Sequence, residues 1–213
     1  MARGRGVPLG IGNDDDRFVA AALRVLAESG PAELTVRGIA QAAGSSTMGI
    51  YSRYGSRNGV LEAAYRRGFE VLHDALAAVA VGGEVTGYLL GLAQACRGFA
   101  LANPALYAFM FERPVPGFDP DPQARHDGWA ATFNLLLAAV RRGVEETGPR
   151  GGDPVRISYL LWCVVHGTIS LELTRSSRSP LPGMLIDSAE AGEQVLLDGV
   201  RATLAGLGLA SHP

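Results

Sequence analysis

"AAGSSTMGIYSRYGSRNGVL", residues 42–61, sets four glycines, four serines and two tyrosines between segments whose apolar residues keep helical spacing. Turn formers at that density do not belong inside one continuous helix. The segment before it, "LTVRGIAQAAG" at residues 34–44, predicts a short helix with Thr35 as N-cap, Val36, Ile39, Ala40 and Ala43 on one side, and Gly44 as the stop. Ser46 then caps a second short helix through about Ser52, and Ser56 caps a long one from Arg57 towards Val79. Upstream, residues 13–30 read as another helix, with aspartates at its start, Phe18, Ala22, Val25 and Leu26 at helical spacing, and Gly30-Pro31 ending it. Three helices with a tight turn between the second and third make a helix-turn-helix.

The residue types fit a reader of the DNA major groove, whose second helix needs a tight turn before it, an apolar underside and small or polar residues outside. Gly44 supplies the turn, and Ile50 and Tyr54, four apart, supply the underside. Ser46, Thr47, Met48, Gly49 and Tyr51 remain for the groove: hydroxyls for phosphates or bases, a thioether for a thymine methyl, a glycine for close backbone approach. Arg53 and Arg57 stand where phosphates would flank that groove. On the residues alone, a solvated polar hairpin on an ordinary helical core fits equally well.

Charge narrows the partner without settling it. The chain has a formal net charge of −2, which excludes a histone-like whole, yet residues 35–67 hold Arg37, Arg53, Arg57, Arg66 and Arg67 against Glu62 alone. One local basic patch suits one anionic partner. Cys96 and Cys163 lie far apart in apolar surroundings and read as buried reduced thiols. The start, "MARGRGVPLG", lacks the apolar core of an export signal, and no run of ~20 uninterrupted apolar residues is present, so a cytoplasmic location is expected.

Beyond residue 80 the helices become longer and more apolar, at about Thr86–Ala102, Pro104–Phe111, Gln123–Thr147, Pro154–Ser176 and Asp187–Leu207, with Pro-rich breaks at "RPVPGFDPDP" and "SSRSPLPG". The expected architecture is all-α: a leader at 1–13, a helix-turn-helix domain at 14–60 and, joined by a long helix, a helical effector-binding and dimerisation domain at 61–213. "ISYLLWCVVHGTISLELTR" is apolar on more than one face and must be covered on more than one side, while Val195, Leu196, Val200 and Leu204 form a stripe on the last helix.

Residues 17–64 resemble the DNA-binding domain of the TetR family of bacterial transcriptional regulators. Its pattern is met by Thr35, Ile39-Ala40, Ala43-Gly44, Ile50-Tyr51, Tyr54 and Ser56-Arg57, departing by Ile50 for Leu, Tyr54 for Phe, Arg57 for Lys and Ser45 for Val. The second half is similar to the TetR subgroup with a Trp-x-x-x-His-Gly signature, here Trp162, His166 and Gly167. The resemblance implies that Thr35 and Arg37 touch phosphate or a base edge, that Ser46, Thr47, Met48 and Gly49 read bases, and that Tyr51, Arg53 and Arg57 hold phosphates. Arg37 is the expected guanine reader, since Arg can pair O6 and N7 together. Arg3 and Arg5 read either as a minor-groove arm or as a solvated leader.

It also implies a homodimer on a palindromic double-stranded operator, and repression relieved by a small, largely apolar effector. Phe99, Tyr107, Met110, Phe111, Trp129, Phe133, Trp162 and His166 are the candidates to line its pocket, with plain core packing the competing reading for each. No cofactor or metal is expected: Cys163-x-x-His166 is half a metal site with no second half. Catalysis is not expected either, because His166 and Glu172 are six apart on one helix and no nucleophile elbow or phosphate loop is present. The rival to the regulator is a helical ligand-binding or scaffold protein that has lost DNA binding.

Overall fold

The computed structural model describes residues 17–112, 115–147, 152–177, 186 and 188–209. The leader with Arg3 and Arg5, the aspartates before Arg17 and most of the second Pro-rich break lie outside the described residues. Among the described residues there are nine α-helices and no strand: α1 Arg17–Ser29, α2 Val36–Ala42, α3 Thr47–Tyr54, α4 Arg57–Ala77, α5 Val85–Ala102, α6 Pro104–Phe111, α7 Pro122–Thr147, α8 Pro154–Ser177 and α9 Ala189–Gly206. A 3-10 turn at Pro31–Glu33, not anticipated from the sequence, fills the gap between α1 and α2.

The chain gathers into two compact units, one holding the residues up to His73 with Ala102–Ala130, the other Asp74–Leu101 with the residues after Ala130. In the first, α1 packs on α2 and α6, and this double cover explains why every residue from Phe18 to Leu23 is buried. Thr35 caps α2, its Oγ1 accepting from the Gly38 N–H at 3.0 Å. Gly44 then turns at φ 60°, and the Ser45 N–H donates to the Ala40 carbonyl at 2.9 Å, closing the helix end so that α3 can start at once. Gly55 repeats the device after α3 at φ 71°, and Ser56 caps α4 by accepting from the Gly59 N–H.

In the second unit α8 and α9 form the most extensive helix pair. Ile157, Leu161, Ile169 and Leu173 of α8 are buried, as are Leu196, Val200 and Leu204 of α9. A second stripe of α8, Val155, Tyr159, Cys163, Gly167 and Leu171 at four-residue intervals, is exposed. Cys163 therefore departs from the expectation of two buried thiols, whereas Cys96 is buried and its thiol is pushed up to about 12 by that burial. In the same helix Pro154–Thr174 is long and apolar enough by length and composition to cross a membrane, although Arg156, His166 and Glu172 interrupt it, so it is not an unbroken apolar run. Its composition is that of a core helix: one face packs inside the unit and carries Glu172, which is buried and paired.

α5 meets α8 and α9 through charge. Arg97 donates Nε and Nη2 to the two carboxylate oxygens of Glu172 at 2.8 and 2.7 Å, and Nη2 also donates to the Ala189 carbonyl at the head of α9. Gly192 gives the carboxylate room, because a Cβ there would lie 2.5 Å from Glu172 Oε1.

Candidate nucleic-acid interface and ligand cavities

The reading face rests on a short, tightly held helix. Ile50 of α3 is wholly buried, and Tyr54, one turn later, meets Phe18 of α1 edge to face at 6.1 Å between centroids. With that underside fixed, the opposite face carries side chains that an ordinary surface would not: Met48 is 71% exposed and Tyr51 50%. Ser46, Thr47 and Arg53 are exposed beside them, the Arg53 guanidinium lying 5.9 Å from the Tyr54 ring centroid. Ser46 takes the N-cap position of α3 without a side-chain cap bond. Thr35 and Arg37 are exposed at the start of α2, and the Thr35 hydroxyl oxygen accepts the cap bond described above.

Two expected readers have other work. A Cβ at Gly49 would lie 2.8 Å from Phe18 Cζ, so its smallness lets α3 close on α1. Arg57 is half-buried, with Nε donating to the Leu34 carbonyl and Nη1 to the Pro116 carbonyl. It fastens the start of α4 to two loops of the same unit. Arg24 makes a related tie, donating to the Ala42 carbonyl at the end of α2 at 2.7 Å.

Of the eight expected pocket residues, five line one or other of two cavities. Trp162 and His166, their rings inclined at 31° with centroids 4.1 Å apart, line a small apolar cavity of about 40 Å³ in the second unit, with Phe133 packed against Trp162 at 5.9 Å. Met110, Phe111 and Trp129 line an open cleft in the first unit. Phe99 and Tyr107 line neither; both are buried, and Tyr107 packs on Phe111 at 4.8 Å. Burial holds the His166 imidazole pKa down to about 4, so it is neutral near pH 7. No cluster of three His, Cys, Asp or Glu side chains able to hold a metal occurs among the described residues.

Comparison with known proteins places this geometry. Residues 18–64 match the family described as bacterial regulatory proteins, tetR family, and residues 89–198 match the tetracyclin repressor-like C-terminal domain. The chain belongs to the TetR family. It is 27% identical over 204 residues to the HTH-type transcriptional regulator Rv1816 of Mycobacterium tuberculosis, an alignment covering 81% of this chain and 87% of that protein. In fold it is similar to a protein of unknown function from Rhodococcus sp. RHA1, with a TM-score of 0.74 at 24% identity over 94% of this chain and 98% of the other. A second Rhodococcus protein, the transcriptional regulator RHA1_ro04179, gives a TM-score of 0.69 at 20% identity over 93% and 100%.

This TetR-family chain is accordingly a DNA-binding transcriptional regulator and not an enzyme. Glu172, six residues from His166 on α8, is taken up by its pairing with Arg97. Sequence reasoning missed that pair altogether. The only signal for it was a glutamate inside an apolar helix, which needs a cation somewhere, but nothing in the sequence says which arginine.

Proposed function

We propose that the protein is a repressor that acts as a homodimer in the cytoplasm, reads a palindromic operator through α3 and the start of α2, and is released by a small, largely apolar ligand. The observation that carries this reading is the exposure of Met48 and Tyr51 on a helix whose opposite side is sealed by Ile50. Large apolar and aromatic groups held rigidly in water are a binding surface. Thr35, Arg37, Ser46, Thr47 and Arg53 supply the polar remainder. One helix of this length offers few contacts, and a twofold dimer doubles them on half-sites about one turn, ~34 Å, apart or at a related spacing.

The exposed stripe of α8 supports the dimer. Tyr159 is 57% exposed and Leu171 57%, on a face opposite the buried one, as expected of a helix that a second copy covers. α4, one helix with residues in both compact units, is the covalent route by which a ligand can bias the reading heads.

The test is a salt titration of binding to the DNA immediately upstream of the protein's own gene, repeated with Tyr51→Ala and Arg37→Ala. Tight, salt-sensitive binding to one palindrome, weakened by both substitutions, is the expected result. Failure on that DNA and in selection from random duplexes would overturn the reading.

A further inference from the structure

The cleft of the first unit and the cavity of the second differ in kind. The cavity beside His166, at about 40 Å³, has room for little more than a few waters. The cleft, at about 630 Å³, falls within the range of small-molecule sites. Its walls are rings already set against one another: Tyr65 and Phe69 of α4 at 5.1 Å between centroids, and Phe69 with Phe111 of α6 at 5.5 Å. Trp129 and Met110 extend them. Two glycines let the three helices come this close, since a Cβ at Gly68 would lie 2.8 Å from Met110 Sδ and one at Gly128 2.7 Å from the Phe69 ring.

Arg125 of α7 brings a guanidinium to the lining, where His126 is its neighbour. Its Nη2 donates to the Pro120 carbonyl at 3.1 Å and lies 3.5 Å from Asp119 Oδ1, a carboxylate that is itself 65% exposed. An ion pair so open to water is weak and exchanges readily. The Arg125 Nε is buried and has no acceptor among the described residues, so the guanidinium has donors left over. The guanidinium disfavours a cationic guest, and with the rings beside it the cleft suits a flat acid, whose rings stack while its carboxylate takes the fork.

We infer that this cleft is the effector site and that its ligand is a planar aromatic monocarboxylate held by Arg125. The inference rests on the proposed ligand response and adds where the ligand sits and what it is. It also shortens the path to DNA, because the cleft and the helix-turn-helix belong to the same compact unit. α4 supplies two cleft walls and, at Arg57, the tie to Leu34 just before α2.

The experiment is calorimetric titration of the full chain with trans-cinnamate and 2-naphthoate, each compared with its primary amide, for the wild type, Arg125→Met and Arg125→Lys. Thermal melts check that each variant is folded. At least one acid should bind saturably and about tenfold or more tighter than its amide; Arg125→Met should abolish that preference and Arg125→Lys retain part of it. Kd values above about 1 mM for both acids, or an acid preference that survives Arg125→Met, would overturn the assignment. The binding acid is then added to the protein–operator complex. Binding without release supports the cleft and sinks the proposed ligand response, whereas release that Arg125→Met leaves unchanged sinks the cleft.

Discussion

Arg97 and Glu172, 75 residues apart in sequence, face each other as a parallel two-bond fork with side chains only 9% and 7% exposed. The carboxylate raises the arginine's pKa further through those hydrogen bonds, so the guanidinium stays charged inside the second unit. Removing one partner strands the other. Glu172→Ala should cost about 3–5 kcal/mol in urea unfolding, and Arg97→Met with Glu172→Leu should recover much of it. Gly192→Ala should also destabilise, by driving a methyl into the carboxylate.

Gly49 and Arg37 separate stability from recognition. Gly49→Ala forces α3 away from Phe18 and should lower stability by about 1–3 kcal/mol, with operator affinity falling because the reading helix tilts. Arg37 is exposed, so Arg37→Ala should leave the melt unchanged while weakening the specific operator by about 1–3 kcal/mol and relaxing preference at one base pair. Equal losses on specific and random duplexes would assign Arg37 to phosphate instead.

His166 gives the fold a pH dependence of definite sign. Its folded pKa of about 4 lies below the unfolded value of 6.5, so between those values the unfolded chain holds the extra proton. The contribution is complete above about pH 6.5, fades as pH falls and is gone below about 4, a span of up to about 3 kcal/mol. His166→Phe should flatten that part of the profile in denaturant titrations at pH 7, 5.5 and 4.

The α8 stripe predicts an assembly. Tyr159→Glu puts a charge in its middle without touching the buried face, and sedimentation should show the wild-type dimer become a folded monomer. Operator affinity should fall with it, since each half-site is then bound alone. A wild-type monomer at micromolar concentration would remove the stripe's explanation.

Much of the helical plan was legible because its signals are local. α6 runs from Pro104 to Phe111 as read from the sequence, α2 and α4 begin after Thr35 and Ser56 as their capping chemistry requires, and α3 begins after Ser46 at the expected position but without a side-chain cap bond. What escaped depends on contacts between distant residues. Arg57 was read as a phosphate ligand because its carbonyl partners at Leu34 and Pro116 cannot be seen from residue 57. The contact with α1 that Gly49 permits was not legible because Phe18 lies 31 positions earlier. The aromatics of α6, α7 and α8 looked like one pocket because composition does not say which compact unit each joins.

Arg57 also bears on how separable the reading head is. Besides its bond from Arg57, the loop at residues 116–117 accepts from the Asn58 side chain at 3.2 Å, and the Asp121 N–H donates to Glu62 Oε2 at 3.1 Å. A head cut after residue 60 would leave behind Pro116, Gly117 and the α6 face on which α1 packs. Chimaeras that graft this head onto another regulator need the segment 102–130 to travel with it: the unit that holds the helix-turn-helix is discontinuous in sequence, so a boundary drawn at the end of the motif cuts through its core.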